Sequence, residues 1–228
     1  MRWFVTGDCH GEITKILDFI KKYDLGENDN IIVCGDMGLF WRKDKKDAEE
    51  NINKYEQFCN GTNLYWLDGN HENFDIIKEW NCGNEIYKNS NHIYYCPRSS
   101  ILTLNINGQN KTALFMGGAD SVDRFRRIKH LSWWEDEKII KADIEKIDKT
   151  KHYDYVFTHA APQSVVDKYK WQLCILLIAE ELIDHSSEQR LEEMFENLDY
   201  DKHYFGHYHS DVKLDDKHTC LLNNFIEL

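Results

Sequence analysis

The sequence predicts an α/β fold with a largely parallel β-sheet. Short apolar runs at residues 3–6, 31–34 and 64–67 each end in a Gly, Asp or Asn turn. The segments between them carry apolar residues at helical spacing. This repeated order of strand, turn and helix indicates βαβ units, in which successive strands lie parallel.

Two amphipathic helices are predicted between these strands. Their apolar residues are Ile13, Ile16, Leu17 and Ile20 in the first, and Ala48, Ile52, Tyr55 and Cys59 in the second. An N-cap is expected at Asp44, directly before the second helix.

The middle and the end of the chain alternate between strand and helix patterns. Strands are predicted over 92–96, 101–106, 112–116, 155–158, 203–205 and 220–226. The middle strands, separated by turns such as Asn107-Gly108, indicate a meander or a second sheet. Helices are predicted over 136–147, 165–183 and 187–198, with capping boxes at Ser132 with Glu135 and at Ser186 with Gln189.

Length and composition indicate a single domain spanning residues 1–228, because no Pro-rich or Gly/Ser-rich linker interrupts the chain. Residues 117–135 are a candidate cap or substrate loop. The apolar run at 173–179 is shorter than the roughly 20 residues that span a bilayer, and it is expected to be a buried helix. The N-terminus leads straight into a motif and leaves no room for a signal peptide. A soluble, cytoplasmic protein with no membrane partner is therefore expected, and the oligomeric state stays open.

Charge and cysteine usage narrow the function classes. The formal net charge of −12 argues against binding extended nucleic acid, but it leaves a small phosphorylated substrate or a nucleotide open. Seven cysteines without zinc-ribbon spacing, among them Cys34, Cys96 and Cys174, indicate reduced core thiols.

Five short motifs each follow a predicted strand or strand end. They are Gly7-Asp8-Cys9-His10-Gly11, Gly35-Asp36-Met37-Gly38, Gly69-Asn70-His71-Glu72, Thr158-His159 and Gly206-His207-Tyr208-His209. Sites in open α/β sheets form beyond the carboxyl ends of strands, so these side chains are expected to converge.

Two aspartates, one asparagine and four histidines in these motifs are more ligands than one metal ion needs. Imidazole with carboxylate favours Zn, Mn, Fe or Co over Ca. If Asp36 bridges two ions, each ion has four protein ligands and room for water or substrate. Two such ions, about 3.5–4 Å apart, clamp a phosphoryl group and lower the pKa of a shared water. With Asp8, Asp36 and a bridging hydroxide, such a site carries a charge near +1, which attracts phosphate.

The ordered motifs resemble those of the calcineurin-like metallophosphoesterase superfamily, over residues 7–209. The resemblance implies a two-sheet β-sandwich flanked by helices in four αββα layers. It also implies roles for the motif residues. The first metal would be held by Asp8, His10 and His209, the second by Asn70, His159 and His207, and Asp36 would bridge. His71 would be no ligand but the proton donor to the leaving group, held by a neighbouring carboxylate.

The resulting hypothesis is a phosphoesterase with two divalent or transition metal ions (Mn, Fe, Zn or Co, with Mn favoured). A metal-bound hydroxide attacks phosphorus of a mono- or diester, and His71 protonates the departing alkoxide. Two alternatives stay open: a nuclease or cyclic-nucleotide phosphodiesterase using the same site, and a metal-binding interaction module without turnover.

Several other residues have two readings. Arg126 and Arg127, in the loop that begins at residue 117, are either a phosphate clamp or a solvated basic face, and Trp134 is either a pocket wall or core. Glu72 is interpreted as a helix-start residue, and Cys9 is interpreted as a variable motif position without a role in the chemistry. The histidines expected to be surface or core residues are His92, His130, His152, His185, His203 and His218.

Two departures from the Ser/Thr phosphatase branch of the superfamily predict that diesters are cleaved. That branch continues its second motif as Gly-Asp-x-x-Asp-Arg-Gly, whereas Phe40 occupies the Arg position here. The pairing of His207 with His209 is typical of diesterase branches. An aromatic pocket of Phe40, Trp41 and Trp134 is expected to seat a second ester group or a base.

Overall fold

The computed structural model describes residues 1–40, 45–80, 86–173 and 184–228 and contains twelve strands and six α-helices in those ranges. In chain order they are β1 (Trp3–Thr6), α1 (Ile13–Lys22), β2 (Asn30–Val33), α2 (Lys45–Phe58), β3 (Asn63–Trp66), α3 (Phe74–Trp80), β4 (Tyr87–Lys88), β5 (Ile93–Tyr95), β6 (Ile101–Ile106), β7 (Gln109–Met116), α4 (Lys141–Ile144), β8 (His152–Thr158), α5 (Gln163–Tyr169), α6 (Ser186–Phe195), β9 (Asp199–Phe205), β10 (Val212–Lys213), β11 (His218–Cys220) and β12 (Ile226–Glu227). Two 3-10 turns lie at Arg124–Arg126 and Glu135–Glu137.

The strands form two six-stranded sheets of the same plan. The first has the order β12-β1-β2-β3-β5-β4, and the second has the order β10-β11-β9-β8-β7-β6. In each sheet the four central strands are parallel. Each edge strand is antiparallel to its neighbour. Both sheets therefore present several parallel strand ends at one edge.

Alternating burial along the strands produces a core with more than one layer. Val5 and Ile32 face one way, where they meet Phe115 and Phe157 of the second sheet. Alternate residues of the first sheet, such as Ile31, pack on α1, α2 and α3. The outer face of the second sheet packs on α4 and α6, and on α5. The four-layer αββα sandwich expected from the sequence is thus confirmed, and each layer is held by its own apolar contacts.

Two predicted elements differ from the structure. Residues 220–226 are not one strand, since β11 and β12 belong to different sheets. The carboxylate of Asp211 accepts hydrogen bonds from the backbone amides of Leu222, Asn223 and Asn224, and so stabilises the turn between the two strands.

The predicted helix over 136–147 is a 3-10 turn followed by the single turn of α4. The guanidinium of Arg98 donates to the carbonyl oxygens of Asp136, Glu137 and Lys138 at 2.8, 3.0 and 2.5 Å. Those carbonyl groups would otherwise accept the hydrogen bonds of the first helical turn. The buried guanidinium therefore prevents a continuous helix from forming at residue 136.

The helix starts also differ from the predictions. Ser132 Oγ accepts from the Ile128 amide, and the N-cap of α6 is His185 rather than Ser186. Helix α3 was not predicted; the side chain of Asn73 caps it by accepting from the amides of Asp75 and Ile76. Helix α5 ends at Tyr169 rather than continuing to 183 as predicted, and residues 170–173 form a turn. Trp41, Asp44, Cys174 and the remainder of that predicted helix, residues 175–183, lie outside the described residues. Within the described ranges, every helix is too short or too polar to cross a lipid bilayer. The described cysteines are buried free thiols: Cys9, Cys34, Cys59, Cys96 and Cys220.

Candidate metal centre

The five motifs meet at the carboxyl ends of parallel strands drawn from both sheets. Asp8 follows β1, Asp36 follows β2, and Asn70 lies beyond β3. His159 follows β8 directly, and His207 and His209 follow β9. All seven ligand-type side chains proposed from the sequence therefore face one region, as parallel topology requires.

Four of these seven residues have a left-handed backbone. The φ angles are 48° at His10, 47° at Asp36, 65° at His207 and 50° at His209. A non-glycine residue in this region costs roughly 1–2 kcal/mol, so these conformations persist because the surrounding structure fixes them. Such strained residues concentrate at functional sites. Gly38 has a φ of 71° and cannot be replaced by a larger residue without movement of the backbone, because an added Cβ would lie 2.2 Å from the Gly11 nitrogen.

The first group comprises Asp8, His10 and His209. Asp8 Oδ2 lies 3.2 Å from His209 Nε2 and 3.5 Å from His10 Nε2. The two ring nitrogens lie 2.9 Å apart. The other oxygen of Asp8 accepts the backbone N–H of His207 at 2.9 Å, which orients the carboxylate.

The second group comprises Asn70, His159 and His207. Asn70 Oδ1 lies 3.1 Å from His159 Nε2 and 3.0 Å from His207 Nδ1. The amide nitrogen of Asn70 donates to Ser121 Oγ at 3.2 Å, which turns the amide oxygen toward the histidines. His159 Nδ1 lies 2.8 Å from the Cys34 carbonyl oxygen. Because a carbonyl only accepts, Nδ1 carries a hydrogen, and Nε2 is the atom that faces the centre and would bind an ion once it is unprotonated.

Asp36 lies between the two groups. Its Oδ2 is 3.8 Å from His10 Nδ1 and 3.5 Å from His159 Nε2. Its Oδ1 accepts the backbone N–H of His71 at 2.8 Å. One carboxylate oxygen therefore faces both groups at once, while the other fixes the third motif.

The pKa values of the buried aspartates and histidines at the centre are strongly shifted by burial and by one another. Burial would raise the pKa of Asp8 and Asp36, but the neighbouring histidines hold both below their usual range. Burial would lower the pKa of His159, yet Asp36 and Asp8 raise it to about 9. Burial, together with His159, lowers the pKa of His207 to about 3. Two buried carboxylates are thus kept ionised in a site ringed by imidazoles.

The donor set fits two metal ions of borderline softness. Asp8 Oδ2 is buried and makes no hydrogen bond with any described residue, although an unsatisfied buried acceptor costs about 1–3 kcal/mol. The ligand atoms of Asp8, His10 and His209 lie within 4.8 Å of one another, and so do those of Asp8, Asp36 and His159. Carboxylate, imidazole and amide oxygen are ligands of Zn, Mn, Fe and Co.

His71 borders this centre and has a neighbour that was not expected. Arg127 Nη2 lies 2.8 Å from His71 Nε2. The Asp36 carboxylate also lies near the ring, with its ligand atom and those of His10 and His71 within 4.8 Å of one another, so the expectation that a carboxylate holds His71 stays a prediction. Burial, opposed by Asp36 and aided by Arg127, lowers the pKa of His71 to about 4. Arg126, the other predicted phosphate ligand, is exposed and lies over the ring of Phe125 at 5.1 Å.

The predicted aromatic pocket is wrong for the two of its members that the structure describes. Phe40 and Trp134 are 1% and 3% exposed and belong to the core between the first sheet and its helices. Trp134 also donates to Asp75 at 2.8 Å, which holds its ring in place. Trp41 lies outside the described residues.

Glu72 also has a different environment from the one predicted. Helix α3 begins only at Phe74, and Glu72 is buried before it. Its carboxylate accepts the backbone N–H of Gly38 at 3.0 Å, so it joins the second motif to the third. The six histidines predicted to be surface or core residues have partners other than the seven ligand-type residues: Glu56 for His92, Asp75 for His130, Asp199 for His152, Glu188 for His185, Thr158 for His203 and Asp215 for His218.

Sequence reasoning missed the supporting residues Asp68 and Arg98. Asp68 directly precedes the third motif and accepts from Arg98 Nη2 at 2.7 Å and from the Tyr95 hydroxyl at 2.8 Å. Its backbone carbonyl accepts the amide of Gly118 at 2.9 Å. The only signal in the sequence was the carboxylate of Asp68 itself, two residues after the end of β3.

Replacing Arg98 by Ala is expected to destabilise the fold by about 3–5 kcal/mol, because Asp68 would become an unpaired buried charge. The side chains of Arg98 and Asp68 are only 12% and 0% exposed. Urea unfolding followed by circular dichroism measures the loss. Arg190→Ala is the control, since its pair with Glu193 is exposed and is worth at most about 1 kcal/mol. Equal, small losses in both variants would show that the Arg98 pair contributes nothing special.

A comparison with protein families bears on the identity of this site. The profile described as calcineurin-like phosphoesterase matches residues 1–211, which contain all five motifs. No curated protein matches the chain. Members of the family hydrolyse phosphate esters and generally bind two divalent metal ions. The chain therefore belongs to the calcineurin-like phosphoesterase family.

Proposed function

We propose that this protein is a dinuclear-metal-dependent phosphoesterase that hydrolyses small phosphate mono- or diesters. One observation carries the proposal: Asp36 Oδ2 lies between a group built on Asp8 and a group built on Asn70, at 3.8 and 3.5 Å from a histidine of each. A single-ion site needs no shared carboxylate and no second set of ligands.

In this proposal the two groups have separate roles. One ion would be held by Asp8, His10 and His209, the other by Asn70, His159 and His207, and Asp36 would be common to both. When bound, two ions supply positive charge for the phosphoryl oxygens and acidify the attacking water. We propose Mn as the resident metal, although Fe, Zn and Co fit the same donors.

The residues around the ligands support this by fixing their orientation before substrate arrives. The Cys34 carbonyl sets the tautomer of His159, and Ser121 sets the amide of Asn70. Partners of this kind typically change metal affinity or activity about 10–100-fold when removed. His71 lies next to Asn70. It is assigned the transfer of a proton to the departing alkoxide from its imidazolium form, which a pKa of about 4 makes a minor species at neutral pH.

The surroundings support a small substrate. A cavity of about 300 Å³ opens beside His10 and is lined by Gly11, Gly38 and, from α2, Asp47 and Glu50. The acidic lining and the net charge of −12 disfavour an extended polyphosphate backbone. A compact phosphate ester brings fewer negative charges against this lining than an extended backbone does.

We expect this enzyme to cleave diesters as well as monoesters. The Ser/Thr phosphatase branch has an Arg in its second motif at the position of Phe40 in this chain. Phe40 is buried in the core and offers phosphate no contact. A monoester dianion loses that bidentate contact unless an arginine of the loop at 124–127 replaces it, whereas a diester monoanion needs it less. The test is hydrolysis of bis(p-nitrophenyl) phosphate beside p-nitrophenyl phosphate, with Mn²⁺ and a panel of other divalent ions.

Two outcomes would count against parts of the proposal. Turnover of the monoester alone, with the diester inert in every metal, would contradict the diesterase assignment. Two bound ions without hydrolysis of either ester would favour a metal-binding interaction module over an enzyme.

A further inference from the structure

Arg127 connects the loop after β7 to the third motif. Its side chain is only 9% exposed, and its Nε lies 2.6 Å from Asp123 Oδ1. The Nη2 atom lies 2.8 Å from His71 Nε2, and Nη1 donates to the backbone carbonyl of Asn70 at 3.4 Å. A basic side chain on a surface loop is usually solvated; this one is directed inward at two neighbouring residues of the proposed site.

The loop that carries Arg127 is anchored at both ends. Ser121 donates through its backbone N–H and its hydroxyl to the two carboxylate oxygens of Glu137, each at 2.8 Å. Trp133 Nε1 donates to the same carboxylate at 2.7 Å, and the guanidinium of Arg124 lies 4.1 Å from the Trp133 ring centre. The segment 121–137 therefore has a fixed conformation from which both Ser121 and Arg127 contact the third motif.

The chemistry of guanidinium suits a positioning role. It is planar, always charged, and carries five N–H donors in a rigid fork. Asp123 forms an ion pair with Nε, and the contacts with His71 and Asn70 use two further donors. Donors remain for a phosphate oxygen.

We propose that Arg127 is a positioning residue for His71. It fixes the plane of the imidazole, and its remaining donors bind a non-bridging phosphate oxygen, so that substrate binding and the orientation of His71 are coupled. This inference rests on the proposed function, in which His71 protonates the leaving group.

The kinetic test compares Arg127→Ala, Arg127→Lys, His71→Ala and the double Ala variant, with Lys129→Ala as control. Lys129 lies two residues further along the same loop, exposed and paired with Glu135. We expect Arg127→Ala to raise KM and to lower kcat for phenyl phosphate about 10–100-fold, with a smaller kcat loss for p-nitrophenyl phosphate. Arg127→Lys should recover KM in part but not kcat, because ammonium restores the charge without the fork.

The double variant separates positioning from an independent effect. If Arg127 acts through His71, kcat of the double variant should equal that of His71→Ala alone. Multiplied losses, or an Arg127→Ala variant with the kinetics of Lys129→Ala, would overturn the inference.

A second readout needs no activity. In the metal-free protein, the imidazole ¹⁵N shifts of His71 should move in Arg127→Ala and stay unchanged in Lys129→Ala. Unmoved shifts in both variants would overturn the positioning role. A wild-type protein that hydrolyses no ester with any metal would defeat the proposed function instead, while the ¹⁵N shifts would still decide whether Arg127 orients His71.

Discussion

Replacing Asp36 by Asn is expected to abolish most of the activity and to loosen both metal ions. The substitution keeps the shape of the side chain but removes the charge that the two ligand groups share. Its Oδ1 can still accept the backbone N–H of His71, so the third motif should stay in place. Loss of one group that stabilises transition-state charge costs on the order of 10²–10³ in rate, and departure of an ion adds to that.

The measurement is metal content by mass spectrometry of the purified variant, beside turnover of both nitrophenyl esters. Asp154→Asn is the matched control. Asp154 lies in the first half of β8, away from the strand end that carries the site, and its carboxylate pairs with Lys111. Two tightly held ions and near-normal turnover in Asp36→Asn would contradict the bridging role.

The second large effect is expected for His71→Ala. If His71 is only a proton donor, the variant should keep both ions and lose about 10²–10⁴ in rate. The loss should shrink as the leaving group improves, because p-nitrophenolate departs without a proton and phenolate does not. Rates for a series of aryl phosphates, plotted against leaving-group pKa, should be steeper for the variant than for the wild type.

The geometry provides a specific competing role for His71. The ligand atoms of His10, Asp36 and His71 also lie within 4.8 Å of one another, so the ring is close enough to bind a metal ion. A drop in metal content in His71→Ala, with an equal rate loss for good and poor leaving groups, would make His71 a ligand rather than a proton donor.

The convergence of the motifs could be predicted from sequence because it depends on local rules. Asp8, Asp36 and Asn70 each follow an apolar run, and parallel strands bring their carboxyl ends to one edge. The same alternation of strands and helices indicated the first sheet. The resemblance to a known family supplied the two-sheet arrangement, which places His159 and His207 opposite these residues.

The supporting contacts could not be predicted in this way. Arg98 meets Asp68 across 30 positions, and Ser121 meets Asn70 across 51. Neither pair leaves a periodic pattern, since each depends on how two loops pack in space. The failed helix over 136–147 has the same origin: its apolar spacing is helical, but the distant cation Arg98 takes its carbonyl groups.

The prediction for the aromatic residues was wrong for a different reason. Phe40 and Trp134 adjoin chemically important segments, and adjacency suggested a pocket. Each lies in the helix-covered core, where a large apolar side chain gains more from burial than from lining an open site.

The central claim is that one chain binds two ions and uses both for hydrolysis. The most direct measurement is to strip the protein of metal, add Mn²⁺ in increments, and follow bound metal and ester hydrolysis in the same samples. We predict saturation at two ions per chain, with most of the activity appearing as the second ion binds. Saturation at one ion with full activity, or at two ions with no hydrolysis of either ester, would contradict this account.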